Sequence, residues 1–419
     1  MTALAALGAF ALALTACSGG PGVVGDATAN TLDAGIASSV EAAVQSAMEL
    51  SDSTAAVVGV WQGDDSAYVQ GFGEGTTANS RFRAAQASQP VVCALLLSLV
   101  EQGRLSLDRE VEGDMPRQVG LDGITYQQLC TATSGLADFK VGLADVFANN
   151  PTREWSDREL IANGLARSPL SWPGLDVHLS DTNALVLGRA LRLSQGSHLH
   201  ELLRTHVFEP AGMLSSSYPE NPLTDVSLPS GSMTGQTYPL SAGAPVCEAG
   251  PVAVTDVSPS MLAGAGATVT TVTDLKNFYE QYLGGAFGAG SSELITATVT
   301  NQNPERDENG EPLPPEEGAE PSSSERFWGF GLEQVETLYG LSGSMPGTIT
   351  SAYHNPATGF TVVVALNNST AGAAFTRTLA MQLAAIAGEE VSWTVEDQAT
   401  ALVGMAVCPP VEEEAPAEG

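Results

Sequence analysis

Lysine is nearly missing from this 419-residue chain: it stands only at Lys140 and Lys276. Lys and Arg together number 16 against 48 Asp and Glu, giving a formal charge of −32. Such a chain repels phosphate backbones, which excludes nucleic acid as a partner. No Cys/His spacing matches a zinc site, so no metal or other cofactor is expected. No internal repeat is present. Residues 3–16 are apolar but too short to span a bilayer comfortably. Apolar side chains, by contrast, make up 43% of the residues, ample for a sizeable core.

Residues 1–16 read as a signal peptide, although they lack the positive charge with which one usually opens. The run ends in Leu14-Thr15-Ala16-Cys17, which resembles the bacterial lipobox. That resemblance implies cleavage before Cys17 and a lipid on its thiol. The lipid membrane is then a partner, and the protein is exported and anchored to the outer face of a bacterial cell membrane. Residues 17–32, Gly-rich at Ser18-Gly19-Gly20-Pro21-Gly22, read as a flexible tether. The other cysteines are Cys93, Cys130, Cys247 and Cys408. In an exported chain they suggest two disulfides, with three connectivities open. Cys93–Cys130 with Cys247–Cys408 is the preferred pairing, and buried free thiols are the alternative.

Residues 33–49 have helical periodicity, with Ile36, Val40, Val44 and Met48 on one face. Runs at 55–61 and 67–72, joined by Gly63-Asp64-Asp65, predict a hairpin. Residues 90–100 are apolar all round, which predicts a helix inside the protein, with Pro90 near its start and Gly103 past its end. Another helix is expected over 273–283, started by Thr273-Asp274. Residues 301–326 are acidic and Pro-rich, the composition of a disordered insertion. Strands are expected at 327–335, 347–354 and 360–366, then a helix at 374–387. Residues 391–419 read as a C-terminal extension with a solvated acidic tail. Strands at both chain ends, with helices between, could form one antiparallel sheet covered by helices.

Several sequence blocks then carry a resemblance. They are Phe82-Arg83-Ala84-Ala85 before the buried helix and Leu99-Val100-Glu101-Gln102-Gly103-Arg104-Leu105-Ser106-Leu107-Asp108 after it. Next come Thr133-Ser134-Gly135-Leu136-Ala137-Asp138, Trp172-Pro173-Gly174, and Thr182-Asn183 running to Leu187-Gly188. Phe208-Glu209-Pro210-Ala211-Gly212-Met213, Ala263-Gly264-Ala265 and Pro346-Gly347 follow. In this order, over about residues 33–390, the chain resembles the serine β-lactamase (class C) and D-alanyl-D-alanine carboxypeptidase, or penicillin-binding-protein-like, family. The resemblance implies an α/β fold of the α+β type. This is the β-lactamase/transpeptidase-like fold, an antiparallel sheet flanked by helices plus a mainly helical region.

Such enzymes attack a carbonyl with a serine, through an acyl-enzyme. The resemblance implies a Ser-x-x-Lys at the buried helix, a Tyr-x-Asn, and a Lys/His-x-Gly strand. Anchored on Phe82 and Pro90, Gln86 and Gln89 occupy the serine and lysine positions. Leu179 and Asp181 occupy the tyrosine and asparagine positions, and Leu341 that of the strand cation. A carboxamide neither attacks a carbonyl nor serves as a base near neutral pH. Ser-x-x-Lys occurs nowhere, because Ala137 and Thr273 stand three before the lysines. No catalytic residue is therefore expected. Gln86, Ser88, Gln89, Ser180, Asp181, Ser342, Gly343 and Ser344 remain as candidates to line a polar cleft.

Ser88 reads as a helix cap in preference to a displaced nucleophile, and His178 as structural in preference to a base. Asp181 could bind a cation or an amine, but a solvated carboxylate is the reading preferred. His354 is expected at the surface, and His198, His200 and His206 on helix faces. Three functions stay open. The first is an inactive family member that binds a peptidoglycan-derived peptide or a cell-envelope protein. The second is an active hydrolase with relocated chemistry at Ser88 or Ser342. The third is an interaction protein using its acidic segments.

Overall fold

Two Val-rich segments from opposite ends of the chain lie side by side and set the architecture. Ala56 pairs with Leu366 and Gln62 with Phe360, antiparallel along the whole length. The sheet they centre has eight strands. These are β1 (Ala56–Gln62), β2 (Ser66–Phe72), β3 (Val299–Thr300), β4 (Phe327–Trp328), β5 (Glu333–Val335), β6 (Leu338–Met345), β7 (Thr348–His354) and β8 (Phe360–Leu366). Their order is β2-β1-β8-β7-β6-β5-β4-β3, with every pairing antiparallel. This computed structural model describes residues 30–63, 65–300 and 327–409. The signal segment, Cys17, most of the tether, the 301–326 insertion and the acidic tail from 410 lie outside the described residues.

The longer helices are α1 (Ala34–Leu50), α2 (Pro90–Glu101), α3 (Asp157–Leu165), α4 (Asp181–Gln195), α5 (Val272–Leu283), α6 (Gly372–Ile386) and α7 (Val395–Val403). Neighbouring strand residues face opposite sides of a sheet, and here both sides are dry. Val57, Val363 and Ala365 join a core with α2, α4 and α5. Val58, Val362 and Val364 join another with α1, α6 and α7. That is why β8 is buried at every position and carries no polar/apolar alternation. The expected α+β arrangement, a helix-flanked antiparallel sheet with a helical region, is the one observed.

Several boundaries differ from expectation. The cap of α5 is Thr271, whose hydroxyl accepts the Asp274 N–H at 3.2 Å; Thr273 lies within the first turn. The stretch 327–335 is two short strands, turned at Gly331, whose φ is +80°. β6 carries no strand pattern of its own; a strand there is implied only by the family resemblance, at Leu341-Ser342-Gly343. The extension after residue 390 holds α7, which packs on α1 and α6. Both disulfides of the preferred pairing are formed, Cys93–Cys130 and Cys247–Cys408. No described helix is long and apolar enough to cross a membrane.

Candidate functional site

A cleft of about 270 Å³ opens between the start of α2, the start of α4 and the strand β6. Its first wall is built by a tight turn. After Ala84 bonds back to Thr268, the chain makes a 3-10 turn over Ala85–Ser88 and enters α2 at Pro90. The apolar circumference of α2 forces it inside, so both Gln86 and Gln89 are buried at its mouth. Strand β6 presses against this turn at Gly343, where a Cβ would lie 2.2 Å from the Gln86 nitrogen.

Both ends of the Gln86 side chain are engaged. Its Oε1 accepts the backbone N–H of Ser344 at 2.9 Å, and its Nε2 donates to Asp181 Oδ2 at 2.5 Å. Asp181 opens α4, behind the cap Ser180, whose hydroxyl accepts the Thr182 N–H. A carboxylate in the first turn of a helix suits the positive end of its dipole. Asp181 is buried, not solvated as the sequence suggested, and it does hold an amine, that of Lys140. Lys140 Nζ lies 2.7 Å from Asp181 Oδ2 and 3.8 Å from Asp138 Oδ2.

Lys140 is the site residue that sequence reasoning missed. The signal was available: it is one of two lysines, and it lies two residues past the Thr133–Asp138 block. Its position comes from stitching between that loop and α4. The Thr182 hydroxyl donates to the Ala137 carbonyl at 2.7 Å and accepts the Phe139 N–H at 2.9 Å, while Ser134 donates to Asn183. Burial works against the charge on Lys140, but Asp181 and then Asp138 outweigh it and raise its pKa. Burial, and next the charge of Asp181, push the Asp138 carboxyl up. The ammonium is thus held protonated.

The opposite wall is apolar. Ala132, Val177, Trp328 and Leu341 form one cluster, with Leu179 packed against it. The Cys93–Cys130 disulfide lies in the lining and ties α2 to the short helix Tyr126–Cys130. Ser342 also lines the cleft, but its hydroxyl is bonded to Tyr353 at 2.9 Å and Ser351 at 2.8 Å. Tyr353 in turn donates to the buried Glu333, which pairs with Arg377 at 3.0 Å.

Of the candidate cleft residues, the structure brings together Gln86, Gln89, Ser180, Asp181, Ser342 and Ser344. Ser88 and Gly343 are outside the lining. Ser88 donates to the Ala85 carbonyl at 2.9 Å and does not cap α2, whose cap position is Gln89. Leu179 lines the cleft and its neighbour His178 does not. His354 is buried, contrary to expectation: it ends β7 against α5 and bonds Thr361 Oγ1 at 2.8 Å. Burial, and then Lys276, lower its pKa to about 4. His198 occupies the cap of a short helix, not its face. Among the described residues no His, Cys, Asp and Glu group could hold a metal.

A family model described as Beta-lactamase matches residues 40–386. The fold is similar to that of a D-stereospecific amidohydrolase from Streptomyces sp., at 23% identity and TM-score 0.65, over 78% of this chain and 94% of that one. It is also similar to a D-amino acid amidase from Ochrobactrum anthropi SV3, at 17% identity and TM-score 0.65, over 84% and 100% of the two chains. A penicillin binding protein from Bacillus halodurans matches at 18% identity and TM-score 0.61, over 81% and 98%.

Proposed function

We propose that this chain, which belongs to the beta-lactamase family, is a member that binds ligand without hydrolysing it. One observation carries the reading: the Gln86 carboxamide sits between Ser344 N–H and Asp181, using both of its ends. A carboxamide at that point supplies no nucleophile and no base. Its oxygen also takes up a backbone donor of the kind that would stabilise a developing oxyanion. On this reading Gln86, Gln89, Leu179, Asp181 and Leu341 replace the family's serine, lysine, tyrosine, asparagine and strand cation. Lys140 is no substitute base, because its carboxylate partners keep it charged. Losing nucleophile or base typically costs on the order of a millionfold in rate.

The ligand we assign is a peptidoglycan-derived peptide, or failing that a cell-envelope protein. The names of two similar proteins carry D-stereospecificity, which supports a peptide containing D-amino acids. A lipid on Cys17 places the domain at the outer face of the membrane, and two disulfides suit that oxidising location. The test is incubation with a fluorescent penicillin followed by intact-mass measurement. No adduct is expected, and a stoichiometric covalent adduct overturns the reading.

A further inference from the structure

Cations are scarce in this chain, yet three arginines and two of the five histidines line a single cavity. It has a volume of about 580 Å³ and shares no lining residue with the cleft. Arg158 stands on α3, Arg189 and Arg192 on α4, and His198 and His200 just beyond α4. Tyr218, Ser156, Asn221 and Ser260 are among the other polar residues of the lining. The only carboxylates in that lining are Asp157 and Glu220. The cavity is therefore net positive in a chain of charge −32.

The arginines are under-partnered. Arg189 and Arg192 both reach the same oxygen of Asp157, at 3.3 and 3.6 Å. Arg158, exposed at the rim, has no ion pair among the described residues. A guanidinium presents five N–H donors, so one shared carboxylate oxygen leaves most of them without an acceptor among the described residues. Burial lowers the pKa of Arg189; Asp157 opposes this, and Arg192 and Arg158 add to it by repulsion. With three acids for every base in the sequence, purely structural arginines would be expected to find their own carboxylates. The cavity also has apolar wall, from Leu185, Leu199 and the ring of Trp155, whose buried Nε1–H has no acceptor among the described residues.

We infer that this cavity binds a small organic anion. A phosphate or carboxylate head sits among Arg158, Arg189 and Arg192, and an apolar body lies against Leu185 and Leu199. Guanidinium forks match both kinds of head group, and the volume falls in the range of small-molecule sites.

The test is calorimetric titration of the full chain with phenyl phosphate, benzoate and, as the neutral control, benzyl alcohol. Saturable binding of at least one anion and none of the alcohol is expected. The double variant Arg158→Gln/Arg192→Gln weakens anion binding by at least about tenfold. If the double variant loses its melting transition, Arg158→Gln alone decides, since that side chain is exposed and unpaired. Absence of saturable anion binding at millimolar concentration overturns the inference. So does binding unchanged by the decisive variant, or equal binding of benzyl alcohol.

Discussion

Gln86 and Ser344, 258 residues apart in sequence, are joined by a hydrogen bond of 2.9 Å from the strand amide to the side-chain oxygen. The bond locks the entrance turn of α2 onto β6 and occupies a donor that faces the cleft. A ligand carbonyl seeking that donor has to displace a protein group first, at a net cost of about 1 kcal/mol.

Restoring the family's groups should restore acylation. The variant Gln86→Ser, Gln89→Lys, Leu179→Tyr, Asp181→Asn removes the plug and the carboxylate that captures Lys140. It should form a penicillin adduct visible by intact mass, where the native chain forms none. A folded variant that stays unlabelled would show that the cleft itself has lost the geometry.

Lys140→Gln should destabilise the protein by roughly 2 kcal/mol at pH 7, because two carboxylates then face each other without a counter-charge. The sign with pH is fixed. Asp138 already has its pKa raised, by burial and then Asp181. A carboxyl raised in the folded state favours folding as pH falls through its folded pKa. The deficit measured by urea unfolding should therefore shrink as the pH is lowered from 7.

His354 should weaken the fold in mild acid. Its pKa is lowered from 6.5 to about 4 by burial, then by Lys276. Between those values the unfolded chain binds a proton that the folded one refuses, so stability falls as pH drops from about 6.5 to about 4. The full loss is about 3 kcal/mol. A His354→Gln variant, compared with wild type by thermal melting at pH 7 and 4.5, should lack this component of the acid loss.

The two disulfides should differ in their response to reductant. Cys93 and Cys130 are buried, whereas Cys247 is exposed. Mild dithiothreitol should open Cys247–Cys408 first, as read by thiol alkylation and peptide mass. That bond closes a separation of 161 residues, and its loss removes up to about 5 kcal/mol in the chain-entropy model. Simultaneous alkylation of all four cysteines would contradict the assignment.

What sequence made legible was whatever rests on local pattern. α2 announced itself by being apolar on every face, and β8 by an apolar run before a turn. β6 did not by local pattern, because Gly340, Ser342 and Gly343 are poor strand formers held by neighbours on both sides; only the family resemblance implied a strand there. The turn at Asn355-Pro356 suggested an exposed His354, but α5 covers that end of the strand. Asp181 looked solvated because its partners are remote in sequence: Lys140 meets it through the stitching of the 131–140 loop to α4, and Gln86 from the entrance turn of α2. The expectation at Gln86 rested on residue type; the two bonds it makes are visible only in the structure.

The pairing of β1 with β8 has a kinetic consequence. Thr54, just before β1, bonds Asn367, just after β8, across 313 residues. At synthesis rates of about 5–20 residues per second, β1 waits roughly 15–60 s for its neighbour to emerge. Until then a Val-rich strand edge is open to wrong partners. Folding of the sheet is therefore a late event, completed only when nearly the whole domain is available to pair.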